Sequence, residues 1–337
     1  MASSTEQEAM RLALGLAVTE GVPRGPNPRV GAVIVDAQGQ IVGRGFHKGA
    51  GSPHAEVVAL ADAGQRARGA VAVVTLEPCH HHGRTGPCSQ ALLAAGIQRV
   101  VFGQSDVSPV AHGGAAFLSA HGVDVEGGVQ AREAESLNER WTFAHRNSRP
   151  WVTYKFAATL DGRVAAPDGT SQWITGESAR LDVHRLRAEV DAVMVGTGTV
   201  LLDDPQLTAR GASSLASQPT RVIVGRRDLP NNSRVFDDSA PTMHLRTRDL
   251  QEVSTALYQH DVQWALLEGG PTLAGAFLAA GLVDEVVAYL APALLGAGRS
   301  ALELPDVTSI GEIARLSTTS IEQIGQDMKI IAQVSRS

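Results

Sequence analysis

Only two cysteines occur in 337 residues, Cys79 and Cys88, and a proline precedes each. Upstream, Pro53-His54-Ala55-Glu56 supplies an imidazole and, two residues on, a carboxylate. One imidazole and two thiolates make a soft nitrogen–sulfur donor set that suits zinc. Three protein ligands leave a fourth position for water, the arrangement of a catalytic zinc, and zinc lowers the pKa of that water toward neutrality. Glu56 stands too near His54 for the i,i+4 ligand pair of a zinc-protease helix, so it is placed as a proton carrier beside the metal. Two cysteines taken alone read as ordinary core thiols. A structural zinc would want a fourth protein ligand, which His80, His81 or His82 could supply. The upstream His-x-Glu and the proline before each cysteine favour the catalytic arrangement.

The elements that must position these groups follow from periodicity and punctuation. Residues 5–20 alternate as an amphipathic helix, and Gly21-Val22-Pro23 ends it. Residues 30–35 form a strand, Asp36 to Gln40 a hairpin turn, and residues 41–46 the return strand. Ser52-Pro53 is a helix-start signal, which puts His54 and Glu56 in the first turn of a helix ending near Ala63. A buried strand at 71–76 delivers Cys79, and a helix at 89–95 has Cys88 at its entrance. A strand at 99–102, a helix near 115–120, a strand at 123–125 and a charged helix at 132–141 complete a layered α/β domain. Both metal-bearing segments then lie at strand-to-helix junctions, where chemistry commonly sits. The polar run 146–150 reads as a linker, so the predicted domains are 1–147 and 148–337.

The second half opens on a strand at 151–157, then a helix at 177–190 and a strand at 192–195. Gly196-Thr197-Gly198-Thr199-Val200 follows; it lacks the third glycine of a dinucleotide fingerprint, but its glycines let backbone approach a cofactor. Residues 215–219 read as a mobile loop, and 221–224 as a strand. In the run from Trp264 to Thr272 a strand ends in Gly269-Gly270 and a helix opens at Pro271, aiming amides and a helix dipole at an anion such as a pyrophosphate. Arg226 and Arg227 at a strand end could take an extra phosphate; a solvated turn is the other reading.

Composition sets the outer bounds. Hydrophobic residues at 43% and charged residues at 19% describe a globular protein with a real core. A net charge of −6 gives no footprint for nucleic acid. No apolar run approaches a membrane span, no secretory signal opens the chain, and scarce cysteines with thiolate roles call for a reducing compartment, so a cytoplasmic location is expected.

The His-Ala-Glu and Pro-Cys pattern resembles the zinc deaminases of the cytidine deaminase superfamily, in which the histidine and both cysteines hold zinc and the glutamate shuttles protons. Their usual Cys-x-x-Cys spacing is lengthened here to eight intervening residues. The longer string Leu-Glu-Pro-Cys-x-His-His-Gly-Arg-Thr-x-Pro-Cys at 76–88 resembles the bifunctional riboflavin-biosynthesis deaminase–reductases, as do Thr159 to Arg163 and Ser171 to Thr175 in the second half. The resemblance implies a three-layer cytidine-deaminase-like domain followed by a dihydrofolate-reductase-like domain. It implies one zinc per chain on His54, Cys79 and Cys88, with Glu56 catalytic, and NADPH in the second domain. Asn27, His47, His81 and Arg84 would contact a phosphorylated ribosylaminopyrimidine in the first domain. Ser171, Arg187, Leu207, Arg210 and Glu268 would do so in the second. Ala157, Trp173, Thr199, Asp203, Arg226 and the run Gly270, Pro271, Thr272, Leu273, Ala274, Gly275 and Ala276 would line the cofactor. It also implies a homo-oligomer. Three other readings stand beside this one: a zinc deaminase with a non-catalytic second domain, a nucleic-acid editor, and a zinc-stabilised module without activity.

Overall fold

The computed structural model describes residues 1–22, 25–81, 86–211 and 218–335. The chain divides into two compact units, Met1–Asn147 and Ser148–Ser337. Among the described residues no helix is long and apolar enough to cross a membrane.

The first unit runs α1 (Ser4–Ala17), β1 (Gly31–Val35), β2 (Ile41–Phe46), α2 (Ala55–Ala63), β3 (Val71–Leu76), α3 (Cys88–Ala94), β4 (Arg99–Gln104), α4 (Gly114–Ala120), β5 (Asp124–Gly127), α5 (Ala131–Leu137) and α6 (Glu139–Asn147). Its five strands are ordered β2-β1-β3-β4-β5, with β1 antiparallel to both neighbours and β3, β4 and β5 parallel. Side chains alternate across a strand. Ala32 and Ile34 of β1 therefore join Ala55 and Ala59 of α2 and Leu92 of α3 on one face, while Val33 and Val35 meet Ala9, Met10 and Ala13 of α1 on the other. The result is the expected three-layer α/β/α domain.

Helix α2, which carries Glu56 and is capped by His54, lies unusually close to the sheet. A Cβ on Gly43 would stand 2.2 Å from the Ala59 carbonyl oxygen, and one on Gly45 the same distance from that of Ala55. Only glycine facing alanine lets helix and strand backbones approach this far.

The predicted single helix at 132–141 is two helices. Asn138 interrupts it because its carboxamide hooks onto the backbone of Arg29, accepting from the amide at 2.8 Å and donating to the carbonyl at 2.9 Å. Arg146 and Asn147, expected in a linker, are the last turn of α6.

The second unit runs β6 (Trp151–Thr159), β7 (Arg163–Ala165), α7 (Glu177–Glu189), β8 (Ala192–Gly196), α8 (Thr197–Asp203), β9 (Thr220–Val224), β10 (Thr242–Leu245), α9 (Leu250–Gln259), β11 (Trp264–Leu267), α10 (Pro271–Ala279), β12 (Glu285–Ala291), β13 (Arg299–Ser300), β14 (Leu316–Ile324) and β15 (Asp327–Val334). Eight strands form a mixed sheet ordered β10-β9-β8-β11-β6-β12-β15-β14, and β13 pairs with β7 separately. The six strands from β10 to β12 are parallel, and the central ones among them are covered on both faces, so Val193, Met194 and Val195 are all buried. Helices α9 and α10 cover one face through Val253, Leu257, Ala274 and Phe277; α7 covers the other through Ala179 and Val183. The glycine-rich run at 196–200 caps and opens α8, with Gly196 as its cap. Of the predicted mobile loop, residues 215–217 lie outside the described residues. Its Gln218 is held by bonds in both directions between its carboxamide and the backbone of Ala209.

Candidate metal centre and reductase pocket

His54 is the cap of α2, in extended backbone, rather than a first-turn residue as the Ser-Pro signal suggested; Glu56 is in that first turn. Cys79 lies just past β3, and Cys88 is the first residue of α3. One nitrogen or sulfur atom from each of His54, Cys79 and Cys88 lies within 4.8 Å of the others. His54 Nδ1 is 3.1 Å from Cys88 Sγ and 3.5 Å from Cys79 Sγ. Tetrahedral zinc, with bonds of ~2.3 Å to sulfur and ~2.1 Å to nitrogen, would space such atoms roughly 3.5–3.8 Å apart. The donor set and its spacing therefore fit zinc. The thiols share a proton: the hydrogen bond with Cys88 draws the Cys79 pKa down to about 4, and the same contact with burial drives Cys88 up. Cys79 is thus already disposed to act as a thiolate ligand.

Glu56 is 4% exposed, and burial raises its pKa to about 7. A carboxyl group balanced there takes and returns a proton at neutral pH. Asn27 and His47 come together beside this centre. Asn27 Nδ2 donates to His47 Nε2 at 2.9 Å, and His47 Nδ1 donates to the Pro53 carbonyl at 3.1 Å, which fixes the tautomer. Burial lowers the His47 pKa, and its ring centroid is 5.4 Å from that of His54. His81 Nδ1 is buried without a hydrogen-bond partner among the described residues. Arg84, with His82, Gly83 and Thr85, lies outside the described residues.

Sequence reasoning missed Asp106, whose pKa burial raises to about 6, with Glu77, Cys79 and His81 close enough to act on it. Glu77 holds that segment, accepting from the amides of Asp106 at 3.1 Å and Ala115 at 3.1 Å. The signal available was a carboxylate two residues before Cys79.

A separate cavity of about 740 Å3 lies in the second unit. It gathers Ala157, Ser171, Trp173, Arg187, Thr199, Asp203, Leu207, Arg210, Glu268, Gly270 and Pro271 from the expected set. Gly270 caps α10 without a side-chain bond and Pro271, which has no N–H, opens it, so the positive end of the helix faces the cavity beside the backbone of Gly269 and Gly270. This fits an anionic portion of a dinucleotide. The rest of the 272–276 run does not line it: Ala274 is in the core, Gly275 packs against the Glu303 carbonyl, and Thr272 hydrogen-bonds Glu303. Arg226 is exposed in the turn after β9 and outside the cavity. Trp173 is 68% exposed, with the Arg180 guanidinium 4.7 Å from its ring centre.

The arginine and glutamate expected to contact substrate separately are partners. Arg187 Nε and Nη2 donate to Glu268 at 2.6 and 3.1 Å. Lys155, a residue sequence reasoning missed, stands 3.5 Å from the same carboxylate. Burial pushes the Glu268 pKa up, but Arg187 and then Lys155 outweigh it and hold it at about 2; burial lowers the Lys155 pKa. Along the rim, Asp204 and Leu207 have left-handed backbone, φ 38° and 56°. Such geometry costs non-glycine residues about 1–2 kcal/mol each. It is held by Arg187 donating to the Thr208 carbonyl, by Gln218 on Ala209, and by the Arg234 amide on the Asp204 carboxylate.

Known proteins match this layout along its length. Residues 3–104 match the family profile of the cytidine and deoxycytidylate deaminase zinc-binding region, and residues 150–330 that of the RibD C-terminal domain. Riboflavin biosynthesis protein RibD of Mycobacterium tuberculosis is 50% identical over 333 residues, 98% of this chain and 97% of that protein. The chain belongs to the RibD family. As a member it is a bifunctional enzyme of riboflavin biosynthesis, with a zinc-binding deaminase domain and an NADPH-dependent reductase domain. Among solved structures, Acinetobacter baumannii RibD matches with a TM-score of 0.91 at 37% identity, covering 98% of this chain and 99% of that one. A diaminohydroxyphosphoribosylaminopyrimidine deaminase/5-amino-6-(5-phosphoribosylamino)uracil reductase from Thermotoga maritima matches with a TM-score of 0.86 at 32% identity, with the same coverage.

Proposed function

We propose that residues 1–147 hydrolytically deaminate a diaminopyrimidine ribose phosphate and that residues 148–337 reduce the ribosyl of the product to a ribityl chain. The observation that carries the first half is the cluster of His54, Cys79 and Cys88 with buried Glu56 beside it. When bound, zinc supplies an activated water at neutral pH. Glu56 takes the proton of the attacking water and returns it to the ring and the departing ammonia. Asn27 and His47 hold the polar edge of the pyrimidine through a fixed donor–acceptor pair.

In the second domain NADPH, when bound, supplies the hydride. The start of α10 would hold its phosphates, and Trp173, Thr199 and Asp203 line the same cavity. The Arg187–Glu268–Lys155 group offers the sugar both donors and an acceptor at little net charge. Lys155, whose pKa burial lowers, gives up an Nζ proton more readily than a solvated lysine. The substrate is a small molecule, the net charge of −6 disfavours nucleic acid, and the expected location is the cytoplasm. Self-association is supported by β14, an open sheet edge that exposes Leu316 and Ile321.

The test uses the whole chain. Glu56→Gln should keep zinc and lose ammonia release by a factor of about 10² or more, while still oxidising NADPH when given the deaminated substrate. Wild-type protein that releases ammonia yet never oxidises NADPH would establish a single-activity deaminase with a non-catalytic second domain.

A further inference from the structure

We infer that His184 is a positioning residue of the reductase half, whose ring holds Arg210 in place while leaving that arginine's charge open to the substrate's anionic group. This rests on the phosphorylated substrate proposed above. The two cavity arginines differ in what their charges meet. Arg187 is bound by Glu268, so its charge is spent within the protein. Arg210 meets no carboxylate among the described residues; its side-chain partner is His184.

Arg210 Nε donates to His184 Nε2 at 3.3 Å, with Nη2 3.2 Å from the same nitrogen, and the Arg210 amide stands 3.2 Å from Nδ1. A neutral imidazole accepts through one nitrogen only. Either tautomer therefore keeps a neutral ring that accepts from Arg210, through the guanidinium at Nε2 or the backbone amide at Nδ1. The helical spacing of 180, 184 and 187 sets Arg180, His184 and Arg187 on the cavity face of α7. Burial, and after it Arg187 and Arg210, disfavour a charged ring there, with Glu268 opposing them. An acidic residue in this place would fix the guanidinium as well but cancel its charge. A neutral acceptor fixes it and cancels nothing. The left-handed turn at Leu207 brings Thr208 and Arg210 round the ring, so the strained rim and the histidine form one device.

The test is titration calorimetry of the full-length protein with ribose 5-phosphate, alongside kcat and KM for the reductase substrate. His184→Leu should weaken ribose 5-phosphate about tenfold and raise KM to match, with kcat held within about twofold and NADPH affinity unchanged. His184→Gln, which keeps a neutral acceptor, should recover most of the loss. His184→Glu should bind more weakly than His184→Leu because it neutralises Arg210. The inference is overturned if His184→Leu binds like wild type, if the glutamine variant fails to recover, or if kcat and NADPH affinity fall together with KM. Ribose 5-phosphate binding that depends on His184 in a protein unable to oxidise NADPH would sink the reductase function and leave the inference standing. Normal turnover with binding indifferent to His184 would do the reverse.

Discussion

Gly114→Ala should strip zinc from the deaminase domain although Gly114 touches neither metal nor substrate. Gly114 is the first residue of α4, and a Cβ there would stand 1.7 Å from the Pro78 carbonyl oxygen and 2.8 Å from its carbon. Heavy-atom contacts to a Cβ essentially never fall below 3.0 Å, so helix and strand end must part by about 1.3 Å. Both sides are backbone, and neither can swing away as a side chain would. The residue after Pro78 is Cys79, a metal ligand. Zinc–sulfur bonds near 2.3 Å tolerate displacements of roughly 0.2 Å, so the required shift is several times what the site can absorb. Loss of supporting contacts around a metal site typically costs about 10–100-fold in affinity, and displacement of a ligand backbone should reach or exceed the upper figure. The assay is zinc per chain after dialysis against a chelator of known affinity, with NADPH oxidation on deaminated substrate as an internal control in the same sample. Stoichiometric zinc and full ammonia release in Gly114→Ala would refute the reasoning.

Glu268→Gln should cost about 3 kcal/mol at pH 7, because it leaves Arg187 and Lys155 buried without their counter-charge. The carboxylate has a folded pKa of about 2 against an ordinary 4.5. Its contribution is therefore complete above pH 4.5 and lost as pH falls toward 2. Urea midpoints of wild type and variant should converge below pH 4.5, and a gap that stayed constant down to pH 3 would contradict this. Gly275→Ala places a Cβ 1.8 Å from the Glu303 carbonyl oxygen. It should destabilise the reductase domain by about 1–3 kcal/mol and weaken NADPH as α10 shifts, which melting with and without NADPH would reveal.

The metal centre was legible because its chemistry is scarce. Two cysteines in 337 residues, with His-x-Glu upstream, leave few ways to read the chain, and the hairpin return at 41–46 and the apolar run at 71–76 are both strands. The reductase pocket was harder. Arg187 and Glu268 are 81 residues apart, and nothing local shows that their charges cancel. Lys155 sits between Tyr154 and Phe156 in a strand, and no local pattern shows that its neighbour is a buried carboxylate 113 residues on. Residues 196–200 gave no helix signal because glycine lowers helix propensity, but packing of Val200 into the core overrides Gly198. Asn138 breaks a helix through a contact with Arg29, 109 residues earlier, which no window along the chain could contain.

One joint in the second unit has a consequence beyond stability. The turn between β14 and β15 rests on the beginning of α7: Asp327 accepts from the Gly176 amide at 2.8 Å, and Gly325 abuts Ser178. The edge ribbon of the second unit's sheet thus acts as the footing of the helix that presents Arg180, His184 and Arg187. A C-terminal tail that looks dispensable from its exposure is mechanically continuous with the reductase cavity, and trimming it removes a foundation rather than an ornament.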